Sequence, residues 1–148
     1  MQSLNFDDGL KSFAINGDES RVIRFNPADP DLIKRYQEAL QLIERAQETM
    51  NREVSIGSDG RLEGGTEASV KIVEEINGVI REALKLMFNA DVYDAVFAGQ
   101  SPLAVTSGGK YLFEAFMESL FPIFEKEIKE YQKISRKRMN KYLDGYVK

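Results

Sequence analysis

Residues 91–102 read Asp-Val-Tyr-Asp-Ala-Val-Phe-Ala-Gly-Gln-Ser-Pro. The stretch is short, aromatic and bounded by turn formers. On either side lie long segments whose apolar residues recur every three or four positions, so it marks a break between helices. Asp91 is placed to cap a short helix carrying Val92, Tyr93, Val96 and Phe97, which Gly99 can end in a left-handed conformation. Ser101-Pro102 can open a further single turn.

Upstream of it, Leu32, Ile33, Tyr36, Leu40, Ile43, Ala46 and Met50 form one face of an amphipathic helix. That helix is opened by Asp29 as N-cap, Pro30 at the first helical position and Asp31 in the first turn. A second helix begins at Thr66-Glu67, with Val70, Val73, Ile76, Ile80, Leu84 and Met87 down one side. Ile72, Val79 and Phe88 broaden that side, so this helix is expected to be the most buried. Between the two, residues 55–65 are rich in glycine and read as a loop.

Before the helices the period changes to two. Phe13 and Ile15, then Ile23 and Phe25, alternate with other residues around Asn16-Gly17, a dipeptide suited to the positive φ angles of a tight hairpin turn. A hairpin is expected over residues 11–25, with a further strand near 3–7 suggested by Leu4 and Phe6 ahead of Asp8-Gly9.

Downstream, Thr106-Ser-Gly-Gly reads as a flexible joint. A long helical pattern then covers residues 110–143, with Phe113, Phe116, Leu120, Phe124, Ile128, Tyr131 and Ile134 in register. Pro122 removes one backbone donor from this run and is expected to kink the helix or split it. The expected fold is α+β and mostly α. It is a single domain over 1–148, with a hairpin region at 1–27, a helical region at 28–143 and a tail at 144–148.

Composition narrows the chemistry. With 43% hydrophobic and 30% charged residues, the 148-residue chain can bury a core. It has no cysteine and no histidine, which removes thiolate and imidazole metal sites and every nucleophile system that needs an imidazole base. No signal peptide and no membrane-spanning run are visible in it. From Lys126 onward eight basic residues face three acidic ones, a balance of +5. That leaves −9 on the rest of a chain whose net charge is −4.

Several apparent motifs have plainer readings. Residues 104–110 imitate a phosphate-binding loop, but Ala104 stands where a glycine is needed and Tyr111 where a hydroxyl must bind Mg²⁺. The paired acids Asp91/Asp94 and Glu114/Glu118 fit solvated helix faces better than a cation site. Arg136, Lys137 and Arg138, with Tyr131, Tyr142 and Tyr146, could contact nucleic acid, though a pI near 5.0 argues against it. A solvated or partner-facing helix end, which could also self-associate, is the favoured reading. Phe113, Phe116 and Phe124 are expected in the core. Phe121 lies beside that face, and a groove between the 92–97 helix and the last helix is expected to accept an apolar helix of a partner. The candidate partner-binding residues are Tyr93, Phe97, Phe116 and Phe121. Neither a cofactor nor a metal is expected.

The order of these parts resembles the tail assembly chaperones encoded in tail-gene modules of phages and prophages of Gram-positive bacteria. The shared parts are the hairpin Phe13-Ala-Ile-Asn-Gly into Arg21-Val-Ile-Arg-Phe-Asn-Pro, the Asp-Pro-Asp helix start, the 91–102 stretch, and an aromatic helix with a basic, tyrosine-containing end. The likeness spans most of the chain outside 55–65, and Tyr93, Phe97 and Gly99 carry it most closely. It implies a non-catalytic protein of the host cytoplasm that coats the hydrophobic tape measure protein, recruits tail tube subunits and leaves the finished tail. It also implies that a programmed frameshift often yields a longer form. The alternatives are a nucleic-acid-binding regulator using the basic end and a structural tail component.

Overall fold

The computed structural model describes residues 1–53 and 65–146. Residues 54–64, which include most of the glycine-rich segment, and residues 147–148 lie outside the described residues. The chain folds as a two-stranded antiparallel hairpin followed by helices, an α+β architecture that is mostly α.

Strands β1 (Lys11–Ile15) and β2 (Asp18–Phe25) are joined by Asn16 and Gly17, at φ 52° and 75°. Two successive positive φ angles turn the chain with the twist a hairpin needs. Phe13 pairs with Ile23 and Ala14 with Val22, after which the register shifts so that Ile15 faces Asp18. The extra residues of β2 bulge there, held by Asp18, whose Oδ1 accepts the Ser20 amide at 3.0 Å and hydroxyl at 2.6 Å. One face of the hairpin, carrying Phe13, Ile15, Ile23 and Phe25, turns inward. The strand expected near residues 3–7 does not form. Leu4 and Phe6 are exposed, and alternation alone cannot hold a strand that no neighbour pairs.

Helix α1 (Pro30–Glu53) starts as its sequence dictates: Asp29 Oδ1 accepts the Asp31 amide at 3.0 Å. Helix α2 (Gly65–Phe88) packs along it. Arg35 fixes the pair, donating from Nε to the Met87 carbonyl at the end of α2 (3.0 Å) and from Nη2 to Asp29 (3.3 Å). α2 buries Ile76, Ile80, Ala83, Leu84, Met87 and Phe88, whereas Val70 and Val73, expected on the same inward side, are exposed. They lie toward the start of α2, N-terminal to its buried residues, so the apolar stripe continues past the core it serves.

Helix α3 (Tyr93–Phe97) follows Asn89, whose φ of 54° ends α2. The left-handed residue that ends α3 is Ala98 (φ 52°), one position before the expected Gly99, which is itself at φ 81°. The next joint is a closed turn: Gly109 donates to the Thr106 carbonyl (2.9 Å), Thr106 to that of Lys110 (2.8 Å), and Val105 bridges Tyr111.

Helix α4 (Leu112–Tyr146) runs unbroken through Pro122, so the expected split does not occur. The helix also takes in residues 144–146, expected to belong to the tail. Phe113, Met117, Leu120 and Phe124 form its buried stripe.

The core is threaded by rings. Phe13 stacks on Phe25 (4.6 Å), Phe25 meets Phe88 (5.2 Å) and Phe124 (6.1 Å), and Phe116 lies against both Phe88 (6.2 Å) and Phe97 (6.4 Å). Tyr93 continues the series onto Phe97 at 5.1 Å. Edge and offset contacts of this kind add to what burial alone contributes.

Candidate partner-docking site

An open trough of about 300 Å³ lies between the hairpin and the first half of α4. Its walls include Phe13 and Ile15 from β1, Val96 from α3, and Phe116, Leu120 and Ile123 from α4. Strand alternation explains the first wall, because Phe13 and Ile15 are two apart and share the inner face of β1. Helical spacing explains the other, since Leu112, Phe116, Leu120 and Ile123 recur at intervals of three and four. The stripe that fills the core on α4 is offset to one side and shares Leu120 with this one, which leaves Leu112, Phe116 and Ile123 half-buried.

Val96 is held in the wall by a charged side chain. Arg21 on β2 donates from Nε to the Ala95 carbonyl (2.8 Å) and from Nη2 to that of Val96 (2.7 Å), satisfying acceptors at the end of α3. Placing a cation where the terminal carbonyls gather also suits the helix dipole. The outer side of α3 is ordered by a second arginine. Arg81 stacks over the Tyr93 ring at 4.4 Å and donates to Asp94 at 3.0 Å, with Asp91 3.7 Å away. Burial pushes the Tyr93 hydroxyl pKa upward, an effect Arg81 partly opposes and Asp94 reinforces.

The four residues singled out from sequence do not converge. Phe97 is wholly buried, at 0% exposure, and holds α3 to α4 through Phe116; it has no surface to offer a partner. Tyr93 is half-buried beneath Arg81, away from the trough. Phe116 does line the trough. Phe121 is 55% exposed but is not among the lining residues; five positions from Phe116, it lies about 140° around the helix. The groove expected between α3 and α4 is therefore a trough bounded chiefly by the hairpin and α4, with α3 supplying Val96. Phe13, Ile15 and Ile123 were missed. Their apolar periodicity is plain in the sequence, but an inward face reads as core until the neighbouring element is seen to stop short of covering it.

Of the basic residues, Lys137 is exposed on α4, while the side chains of Arg136 and Arg138 lie outside the described residues. Lys129 and Lys133 are exposed on the same helix, and Lys129 pairs with Glu125 at 3.5 Å. Among the described residues no group of three or more acidic side chains is gathered as a metal site, and no helix is long and apolar enough to cross a membrane. No protein-family model, curated protein or solved structure matches the chain.

Proposed function

We propose that the protein is a non-catalytic tail assembly chaperone acting in the bacterial cytoplasm, binding the tape measure protein and tail tube subunits while the tail is built. The observation that carries this reading is the open apolar trough beside Phe116 and Ile123. A chaperone for a long hydrophobic helical client needs a surface that takes a few apolar side chains at helical spacing without enclosing them, and a half-covered stripe on α4 offers one. The trough is at the small end of the range of roughly 300–1,000 Å³ typical of ligand sites. That favours two or three anchoring side chains over deep engulfment. The acidic body keeps a chain with such a surface soluble.

Co-expression with the tape measure protein of the same gene cluster tests the reading. The tape measure protein is expected to stay soluble and co-purify with the chain at cytoplasmic salt, and the chain is expected to be absent from purified particles. Failure to associate, or retention in the virion at tube stoichiometry, contradicts it.

A further inference from the structure

Residues 1–10 form an arm without helix or strand, and the apolar side chains of its first half stand almost fully exposed. Leu4 and Phe6 are 91% and 79% exposed, two positions apart and so on one face of an extended chain. The arm first meets the body at its root. Asn26 Nδ2 donates to the Asp8 carbonyl at 3.4 Å, and Gly9, at φ 73°, passes so close to Asn26 that a Cβ there would lie 2.6 Å from Nδ2. Asp7 and Asp8 accept the amides of Gly9 (2.9 Å) and Leu10 (3.0 Å), which fixes the direction in which the arm leaves.

A second feature matches it. Among the described residues the sheet has two strands and α3 packs against β2, and no strand pairs with the outer edge of β1. That edge borders the trough, where Ala14 and Asn16 join Phe13 and Ile15. An unpaired edge beside an apolar slot is the usual receptor for an added strand, the backbone pairing while alternate side chains enter the slot.

We propose that residues 3–6 of one copy add to the β1 edge of a second copy, with Leu4 and Phe6 filling its trough until a client displaces them. The occupant comes from another molecule because of where the root is tied. Asn26 follows Phe25, the partner of Lys11, at the end of the hairpin opposite the Asn16-Gly17 turn. The trough takes in Phe13 to Asn16 at the turn end of β1 and neither Lys11 nor Ser12. An arm turning back on its own strand at residues 7–10 would therefore bring Leu4 level with Phe13 but leave Phe6 beside Lys11, short of the trough. Area points the same way. An aromatic side chain buries roughly 150–250 Å². Reciprocal exchange hides two copies each of Leu4 and Phe6, together with the walls they cover, on the order of the 1,000 Å² that a specific interface requires. The exchange shares its trough with the function proposed above but involves only this chain, so either can fail without the other.

The chain has no cysteine, which permits a direct test. Leu4→Cys protein is mixed with Ser119→Cys protein, Ser119 being an exposed trough residue, and oxidised; Leu4→Cys mixed with Glu74→Cys, on the exposed face of α2, gives the background. A reducible heterodimer well above background is expected. Phe6→Asp, introduced into the Leu4→Cys chain, should abolish it while leaving the thermal midpoint unchanged at a dilution where the chain is monomeric, because Phe6 is largely exposed in its own copy. Heterodimer at background level, or a Leu4→Cys/Ser119→Cys double variant that closes only within monomers, overturns the proposal.

Discussion

Arg21 and Val96 are 75 positions apart, and their 2.7 Å hydrogen bond ties the hairpin to the last turn of α3. It is the contact that sets one wall of the trough, since the short helix has five residues and cannot hold its own end. Replacing Arg21 by Ala leaves the Ala95 and Val96 carbonyls without their charged donor. Hydrogen bonds to charged groups contribute about 1.5–3 kcal/mol each, and the pair is partly exposed, so a loss of about 2 kcal/mol is expected in urea unfolding. Arg21→Lys should recover less than half of it, because one ammonium cannot reproduce the two-pronged contact.

Phe97 and Phe121 separate packing from exposure. Phe97→Ala removes a ring with no exposed surface that touches both Tyr93 and Phe116, and a loss of about 3–5 kcal/mol is expected. Phe121→Ser alters a ring that is 55% exposed and should change stability by no more than about 0.5 kcal/mol. Denaturant midpoints measured side by side check both values.

Pro122 lies within a continuous helix and has no amide to donate to the Glu118 carbonyl. Pro122→Ala is expected to stabilise the protein by about 1–3 kcal/mol. The gain is smaller than the full interior proline penalty because alanine also gives the unfolded chain more freedom. A higher denaturant midpoint with an unchanged slope is the expected reading.

Alkaline pH should weaken the fold. Burial raises the hydroxyl pKa values of Tyr36 and Tyr93 above the ordinary 10.0, so the folded state favours the protonated phenols. Their contribution is complete below pH 10.0 and is lost as pH rises through the folded-state values. Lys110, raised by its hydrogen bond and charge attraction to Glu118, loses its contribution in the same direction above 10.5. Unfolding midpoints followed upward from neutral pH should fall in this range. Tyr36→Phe with Tyr93→Phe should flatten the fall.

Local signals announced most of the fold. Asn16-Gly17 specifies the hairpin turn through two positive φ angles, and Asp29-Pro30 specifies the start of α1 through a cap that needs no tertiary partner. Tertiary reach stayed hidden. Val70 and Val73 continue the α2 stripe beyond the core, and Leu4 and Phe6 alternate without a strand beside them. The trough was illegible for a related reason. Phe13, Ile15, Phe116 and Ile123 are ordinary inward residues of their own elements, and only the spacing between β1 and α4 leaves them half covered. Phe116 is legible from its place on the last helix beside the expected groove; Phe97, expected in the same groove, is instead buried packing against Phe116.

Titration calorimetry of an apolar helical segment of the tape measure protein against two variants bears most directly on the trough as the client surface. Ile123→Glu puts a charge on its wall, and Phe121→Ser changes the same helix away from it. Desolvating a carboxylate there should weaken binding by at least about tenfold, while Phe121→Ser should bind as the unaltered chain does. Equal affinity for Ile123→Glu, or a loss confined to Phe121→Ser, would contradict the account.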